Sequence, residues 1–410
     1  MEPQTRIGLA ELTKMAFAGM DLSPLKTELL NRTEEDNGTA GDMMDISAIE
    51  QLTGNKASGL AWQSKAFETC RVFASKEPDK ACKRVLVYAA TADIGGNTPI
   101  EFLLEGSDFE PVFYYPNVTN VAVDDLPDHD VAFCAAPVDA KECVEFSKLI
   151  SRLTLLSGTK ALNVSSHSRT LDRLYLASLL SDVPGAFVPT TVQIDRKALE
   201  STLGDQGAYH TASRFLTFPF VIRPIGSHAG FGLSKINSPH ALATYLTERL
   251  ETSFYLSEFV DYATPADQKY RKYRIVFVDG LAYPCHMAIA EQWDVWYLNA
   301  GMHLNIEKRL EEAAFMEGFT AQFGARHRDA LADIAARIGL DYFGIDCAED
   351  AQGNLVVFEA DNALIVHDMD PRDVYPYKHH HMQAIFAAFG QLLLQKSRAD
   401  VVHKPTRGCA

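Results

Sequence analysis

A strand that runs directly into a glycine-rich turn carries the first residues with clear chemical potential. The apolar run 220–222 ends in Arg223. The turn behind it contains four candidate cofactor-binding residues: Gly226, Ser227, His228 and Gly230. Glycines let backbone N–H groups approach phosphate oxygens, and an arginine offers a planar pair of donors to the same oxygens. The pattern predicts a phosphate-binding turn, with an ordinary hairpin turn as the other interpretation.

A pair of apolar strands farther along the chain carries three acids. Asp346 lies on the first strand, Glu359 and Asp361 lie on the second, and the turn between them contains Gly353. If the turn is symmetric, Asp346 and Glu359 lie opposite each other and Asp361 shares the face of Glu359. Facing carboxylates repel, but Mg²⁺ commonly takes one or two protein carboxylates together with nucleotide phosphates. The spacing predicts a metal site, and a solvated acidic rim is the alternative.

An arginine on a third strand is predicted to point inward. Arg274 shares a strand face with Val276 and Val278, and the strand is turned by Asp279-Gly280, which is a strong hairpin signal. Its side chain therefore lies at one end of an apolar row, where a buried cation needs an anion.

The elements that must position these residues change character along the chain. Residues 1–82 read as helices with loops, and part of this segment loosely resembles one tetratricopeptide-like helix pair. Its functional interpretation is partner binding or homodimerisation, and its structural one is a helical cap on the next domain. Residues 83–165 alternate short apolar strands with helices, which predicts an α/β domain. Residues 166–398 mix helices with β-rich segments, and 399–410 form a tail.

Composition and charge narrow the class of protein. The chain has 410 residues, 47% of them hydrophobic, and a formal net charge of −16. This acidic balance disfavours a nucleic-acid partner, and no apolar run is long enough to span a membrane. The N-terminus lacks the pattern of a secretory signal, and the 7 cysteines show no CxxC spacing. We therefore expect a cytoplasmic protein with reduced thiols, no disulfide framework and no zinc site.

The order of these pieces resembles the ATP-grasp superfamily, in particular D-alanine:D-alanine ligases and ribosomal-protein glutamate ligases. The resemblance covers the phosphate-binding turn, the inward arginine and the three acids, and it extends to the preceding α/β unit. It also includes uncharacterised tetratricopeptide-associated ATP-grasp proteins. It implies a fold of class α/β, with α+β character in a two-subdomain ATP-grasp part preceded by an α/β substrate domain.

The resemblance also implies roles for individual residues. Arg173 and Arg223 stand where the family usually has two phosphate-binding lysines, and Arg274 matches an arginine that faces the phosphates. Glu258 matches the acidic hinge residue that accompanies nucleoside binding, with Phe259, Val260 and Asp261 on the same loop. The family's metal signature is an Asp followed on the next strand by Glu-x-Asn. Asp346 and Glu359 match it, while Asp361 stands where Asn is usual and Asn362 lies one residue on.

The chemistry that the resemblance implies is amide formation through an acyl phosphate. ATP and Mg²⁺, with Mn²⁺ as an alternative metal, would activate a small-molecule or peptide carboxylate for attack by an amine. Arg223 and Arg274 would be the catalytic residues, and no nucleophilic side chain is required. Phosphoryl transfer to a hydroxyl and a non-catalytic nucleotide-binding protein are the alternatives. The sequence leaves the acid, the amine and the oligomeric state open.

Overall fold

The structure is a computed structural model that describes residues 2–35, 37–75, 82–117, 126–138, 143–165, 171–204, 217–227 and 230–399. The helices are named α1 to α13 in chain order: Leu9–Phe17, Ser23–Glu34, Ala40–Leu52, Lys56–Thr69, Ile100–Leu103, Cys143–Ser157, Arg173–Leu179, Arg196–Gly204, Pro239–Thr247, Ile306–Gly318, Phe323–Arg326, Arg328–Ile338 and Lys378–Ala399.

The strands are named in the same way, from β1 to β15. Their bounds are Gln4–Thr5, Val72–Ala74, Lys83–Tyr88, Phe109–Tyr114, Val131–Cys134, Ala161–Leu162, Ala186–Phe187, Thr191–Asp195, Phe220–Pro224, Ser234–Ile236, Ser253–Glu258, Tyr270–Val278, Leu281–Ala290, Tyr342–Glu349 and Leu355–Asp361.

These strands form three sheets with different connectivity. The six-stranded sheet has the order β1-β2-β4-β3-β5-β6, and its central strands are parallel. The four-stranded sheet has the order β10-β9-β11-β8 and is antiparallel throughout. The five-stranded sheet has the order β13-β12-β14-β15-β7 and is antiparallel except at its β7 edge. The expected α/β class, with α+β character in the later part, is confirmed.

Local sequence signals account for several element boundaries. Thr39 and Asp42 form a capping box at the start of α3, with the Asp42 N–H donating to Thr39 Oγ1 over 3.1 Å. Asp279 and Gly280 both have positive φ in the turn between β12 and β13, as a two-residue hairpin of this kind requires. Gly339 ends α12 in the left-handed conformation.

The N-terminal segment contributes strands as well as helices. Helices α3 and α4 pack against each other, while β1 and β2 extend the six-stranded sheet. The expectation that residues 1–82 contain only helices and loops is wrong at the end of the segment, because α4 ends at Thr69 and Val72–Ala74 form β2. Val72 and Phe73 are fully buried in the sheet, so tertiary packing decides their conformation. The domain limits at residues 82, 165 and 398 stay predictions.

Helix α13 joins the six-stranded sheet to the five-stranded sheet. The Phe389 ring lies 5.4 Å from the ring of Phe133 on β5 and 5.6 Å from that of Tyr342 on β14. Buried residues of both sheets belong to one continuous hydrophobic core, whereas the four-stranded sheet has its own. The four-stranded sheet is therefore the part with the most independent packing.

A buried asparagine fixes the loops of the six-stranded sheet to the end of β15. Asn362 is 1% exposed; its Nδ2 donates to the Ala136 carbonyl over 2.9 Å and its Oδ1 accepts from the Val138 N–H over 3.1 Å. Thr98 Oγ1 donates to the Asn362 carbonyl over 2.7 Å. The end of β15 is thus held by three hydrogen bonds to loops of the six-stranded sheet.

In the described part of the chain, no helix is both long and apolar enough to cross a membrane.

The contact of α3 with β1 depends on a residue without a side chain. A Cβ atom at Gly41 would lie 1.9 Å from the Thr5 carbonyl oxygen, which is a backbone atom and cannot rotate away. We expect Gly41→Ala to lower the free energy of unfolding by roughly 1–3 kcal/mol, the usual cost of overpacking. Urea unfolding followed by circular dichroism measures this. Gly95→Ala is the control, because its Cβ would come no closer than 3.9 Å to another residue; an equal loss in both variants would contradict the prediction.

Candidate functional site

One cross-strand row of the five-stranded sheet collects most of the candidate residues. Arg274 on β12 lies opposite His286 on β13 and, on its other side, opposite Asp346 on β14. Asp346 in turn lies opposite Glu359 on β15. The predicted pairing of the two acids is therefore confirmed, and the inward arginine lies beside them in the same row.

A β-bulge sets the register of this row. From the turn, Glu349 pairs with Leu355 and Cys347 pairs with Val357, so an uninterrupted ladder would place Phe358 opposite Asp346. The register shifts between Asp346 and Cys347, and Glu359 becomes the partner of Asp346 instead. The symmetric turn assumed from the sequence does not by itself produce the pairing. The bulge brings the second acid onto the face of the first.

Two cations neutralise Asp346. Arg274 donates to it twice, from Nε over 2.8 Å and from Nη2 over 3.2 Å, and Lys272 Nζ lies 2.8 Å from its Oδ2. Burial alone would raise the pKa of Asp346, but Arg274 and Lys272 outweigh it and hold the pKa well below its usual range. Asp346 is therefore an anion, although the residue is only 5% exposed.

A third cation reaches Glu359 from helix α7. The Asp172 side chain caps the helix by accepting from the Leu174 N–H, which makes Arg173 the first helical residue. Arg173 then pairs with the Glu359 carboxylate through Nη2 and donates to the Phe358 carbonyl through Nη1 over 3.4 Å. Arg173 lowers the pKa of Glu359, so this acid is also charged.

The glycine-rich turn brings a fourth cation, Arg223, close to Arg173. Arg223 ends the apolar part of β9, and its Nε donates to Ser227 Oγ over 3.1 Å while Ser227 Oγ donates to the Pro224 carbonyl over 2.7 Å. Burial and the nearby charge of Arg173 lower the pKa of Arg223 to about 10. Arg173 and Arg223 are thus two like charges held close together, with Glu359 beside them as a partial counter-charge.

Glycine is required in the turn for two different reasons. Gly226 and Gly230 have φ values of 73°, a conformation that other residues rarely adopt. Gly232 has positive φ as well, and its Cβ would lie 2.6 Å from the Pro224 ring. A Cβ atom built at Gly226 or Gly230 would have open space around it, so the backbone of these two glycines is accessible. His228 lies outside the described residues.

The hinge loop follows β11, the strand that pairs with β9. Glu258 is the last residue of β11 and is exposed, and the Phe259 ring lies under Lys235 Nζ at 3.5 Å and beside Trp293 at 5.8 Å. Val260 is half-buried. Asp261 Oδ1 accepts from the Ala263 N–H over 3.1 Å, so this acid caps its own loop. The two acids therefore differ in their contacts: Glu258 faces solvent, whereas Asp261 accepts a hydrogen bond from its own loop.

The third acid and the neighbouring asparagine have different surroundings. Asp361 is exposed at the end of β15, opposite Gly344, and its Oδ1 accepts from the Ala363 N–H over 2.7 Å. Asn362 uses both side-chain atoms in the contact with the six-stranded sheet. Asp361 therefore remains the candidate metal ligand at this end, and Asn362 has a structural role. No group of three or more His, Cys, Asp or Glu side chains with metal-binding geometry occurs among the described residues.

Sequence reasoning missed one cation of the site. Lys272 lies two residues before Arg274 and therefore on the same face of β12, where it reaches Asp346. The spacing was visible in the sequence, but a lysine at the start of a strand is more often solvated. The opposite residue, His286, packs 4.8 Å from the Tyr297 ring. Burial, Arg274 and Lys378 hold the pKa of His286 well below its usual range, so its imidazole is neutral.

Comparison with known proteins gives similarity in fold only. The chain is similar to a RimK-domain ATP-grasp protein from Sphaerobacter thermophilus, with a TM-score of 0.41, 16% identity, and coverage of 76% of this chain and 99% of that one. It is similar to VanG D-Ala:D-Ser ligase from Enterococcus faecalis, with a TM-score of 0.46, 14% identity, and coverage of 78% and 100%.

A third similar structure is the ATP-grasp ligase PsnB in complex with its precursor peptide PsnA2 and AMPPNP. Its TM-score is 0.41 and its identity 14%, with coverage of 77% of this chain and 100% of that one. No protein-family model matches the chain. No curated protein matches it.

The buried ion pairs of Asp346 predict a specific loss of stability. Asp346→Asn would leave Lys272 and Arg274 without their anion, so we expect the free energy of unfolding at pH 7 to fall by roughly 3–5 kcal/mol. Because the folded-state pKa of Asp346 lies below its unfolded value of about 3.9, its contribution is present above that value and lost as the pH falls through the folded pKa. The acid limb of the stability profile should therefore flatten in the variant.

Chemical unfolding between pH 2 and pH 8 measures both effects. Asp267→Asn is the matched control. Asp267 is exposed and pairs with Arg271, which lies on β12 like Lys272 and Arg274. We expect it to cost less than about 1 kcal/mol. Similar losses in the two variants would show that the Asp346 pairs contribute no more than a surface ion pair.

Proposed function

We propose that this chain is an ATP- and Mg²⁺-dependent carboxylate–amine ligase of the ATP-grasp superfamily. The observation that carries the proposal is the convergence of cations and acids where the four-stranded and five-stranded sheets face each other. Arg173 pairs with Glu359 of the five-stranded sheet, and its charge also lowers the pKa of Arg223 of the four-stranded sheet. A nucleotide triphosphate is an anion of suitable charge and length for such a position.

The phosphate-binding part of the proposal rests on Arg173, Arg223 and the turn behind β9. Accessible backbone N–H groups at Gly226 and Gly230 would donate to phosphate oxygens, as would the guanidinium groups. Ser227 already fixes the Arg223 side chain by accepting from its Nε. Arginine in place of the usual lysines would bind two oxygens at once, which limits the orientations available to the phosphate chain. His228, in the same turn, is included in the proposal.

The nucleoside would lie against the loop after β11. Glu258 is exposed there, so its carboxylate can accept from ribose hydroxyls, and the half-buried Phe259 and Val260 offer an apolar surface to the base. The Asp261 carboxylate would support the loop from within, because it accepts from the Ala263 N–H.

Carboxylate oxygens are the ligands that Mg²⁺ prefers, so the acids on β14 and β15 would be its candidate ligands once a nucleotide supplies further oxygens. Glu359 and Asp361 share one face near the strand end and are the more accessible ligands, while Asp346 lies deeper. When bound, the ion would neutralise negative charge on the phosphates. Lys272 and Arg274 would keep Asp346 ionised, and Arg173 would do the same for Glu359, because they lower the pKa of these two acids.

The reaction itself requires positioning and charge neutralisation rather than a nucleophilic side chain. An oxygen of the substrate carboxylate attacks the γ-phosphorus, the bond to ADP breaks, and an acyl phosphate forms. An amine nitrogen then attacks the acyl carbon, inorganic phosphate leaves, and the nitrogen loses a proton. Arg274 is held by two bonds to Asp346, so its remaining Nη1 group would face the transferring phosphoryl group. Arg223 would hold the γ-phosphate from the other side.

Trapping of the acyl phosphate tests the proposed chemistry. We expect Mg²⁺-dependent formation of hydroxamate, ADP and phosphate when the protein is incubated with ATP, hydroxylamine and pools of amino acids, dipeptides and small carboxylates. Glu359→Gln should lower the rate by about 10²-fold or more, because it removes a carboxylate beside the phosphates. Glu349→Gln is the matched control, since this acid lies on the same hairpin but pairs with Arg326 and His327.

Other products would replace the proposal with a named alternative. ADP together with a phosphorylated alcohol would identify a small-molecule kinase. Tight binding of MgATP without turnover on any pool would identify a non-catalytic nucleotide-binding protein. Hydroxamate formation at an equal rate in wild type and Glu359→Gln would place the chemistry elsewhere.

The role of Arg223 predicts an effect on binding alone. Arg223→Gln should raise the Kd for a non-hydrolysable ATP analogue by about 10- to 100-fold, because a hydrogen bond to a charged group contributes about 1.5–3 kcal/mol. Isothermal titration calorimetry measures the change. Arg326→Gln is the control, because Arg326 is exposed and pairs with Glu349 rather than with a residue of the proposed nucleotide site. Equal affinities of Arg223→Gln and wild type would remove Arg223 from the phosphate site.

A further inference from the structure

His286 on β13 lies directly beside the arginine that would face the transferring phosphoryl group. It is opposite Arg274 in the register of β12 and β13, while Asp346 is opposite Arg274 on the other side. Directly opposed residues share one face of a sheet, with their Cβ atoms about 4.5–5.5 Å apart. The imidazole therefore lies on the same face as the inward arginine, one strand away from it.

The ring nitrogens of His286 are accessible. The residue is half-buried, and none of the hydrogen bonds among the described residues involves its ring. Neither nitrogen is one of the fully buried side-chain atoms without a partner, so both reach the protein surface. A neutral imidazole carries one N–H and one unprotonated nitrogen, and the unprotonated nitrogen can accept a proton from an incoming group.

The contacts around His286 fix the orientation of its ring. The ring lies 4.8 Å from that of Tyr297, and the Tyr297 hydroxyl donates to Glu312 Oε2 over 3.0 Å. The N–H of the next residue, Met287, donates to Glu312 Oε1 over 3.1 Å. Glu312 is fully buried, so the ring and the backbone at this point of β13 are both anchored to one buried group. The imidazole is thus held in place before any substrate binds.

Charged groups from three other elements keep this imidazole unprotonated. Burial lowers the pKa of His286 most, and the surrounding cations outweigh the one acid among these groups: Arg274 and Lys272 on β12, Asp346 on β14 and Lys378 on α13. A triphosphate bound at Arg274 would add negative charge beside the ring and raise the pKa toward its usual value of about 6.5. A base with such a pKa is suited to accept a proton near neutral pH.

We propose that His286 is the general base of the ligation step. The inference rests on the proposed ligase function and gives an acceptor to the proton that the amine loses. The amine nitrogen bonds to the acyl carbon, the bond from that carbon to the phosphate oxygen breaks, and the N–H proton passes to the unprotonated ring nitrogen of His286. The imidazolium then releases the proton to solvent. Formation of the acyl phosphate needs no base, because the substrate carboxylate is already deprotonated at neutral pH.

Separate measurement of the two steps tests the assignment. Hydroxylamine captures an acyl phosphate without a catalytic base, so hydroxamate reports the first step alone. Amide formed from pools of amino acids, dipeptides and small carboxylates, without hydroxylamine and measured by mass spectrometry, reports both steps. We expect His286→Asn to keep hydroxamate formation within about twofold of wild type and to lower amide formation by about 10²-fold or more.

A histidine outside the site provides the control. His240→Asn should leave both products unchanged, because His240 is exposed on α9. Equal loss of both products in a folded His286→Asn variant, or retention of both, would overturn the proposal. Absence of hydroxamate from wild type would instead remove the proposed ligase function, and the assignment of His286 with it.

A pH profile and chemical rescue distinguish a base from a residue that only supports the fold. In wild type, amide formation should rise with pH through about 6.5, because only the unprotonated imidazole accepts a proton. This limb should be absent from His286→Ala, and added imidazole should raise amide formation by this variant about tenfold or more. His286→Ala also decides the matter if His286→Asn does not fold. An unchanged pH limb together with no response to imidazole would contradict the proposal.

Discussion

The pairing of Asp346 with Lys272 and Arg274 is the interaction on which the candidate site depends. Three charged groups are concentrated on neighbouring strands of one sheet, and each would be costly there without the others. With the cations in place, Asp346 stays ionised, and the next acid in the row can be paired by an arginine from a different element. The site thus consists of Asp346 paired with Lys272 and Arg274 and of Glu359 paired with Arg173, with Arg223 of the four-stranded sheet close to Arg173.

This arrangement gives the two sheets different tasks. The five-stranded sheet belongs to the main hydrophobic core and is tied through Asn362 and helix α13 to the six-stranded sheet, so its acids are held rigidly. The four-stranded sheet has a separate core and carries Arg223 with the glycine-rich turn. In the proposed function, the long anion would lie between the five-stranded sheet, which carries the acids, and the more independently packed four-stranded sheet, which carries Arg223.

The sequence predicted the residue types of the site better than their geometry. Strand alternation placed Arg274 inward, and motif order brought Arg173, Arg223 and the acids together. The facing of Asp346 and Glu359 was expected from a symmetric turn, whereas a β-bulge at Phe358 produces it, and bulges depend on tertiary packing. Lys272 was missed although its spacing from Arg274 was visible, and the contact of Asn362 with the six-stranded sheet was missed because it depends on tertiary packing.

The position of Phe389 between the rings of Phe133 and Tyr342 has a consequence for biosynthesis. Both sheets precede α13 in the chain, so on the ribosome they emerge without the helix that covers their facing surfaces. Contacts between such distant segments form late and at a high entropic cost. Until α13 has been translated, the nascent chain exposes apolar surface on both sheets, and this interval is when a chaperone would have most to bind.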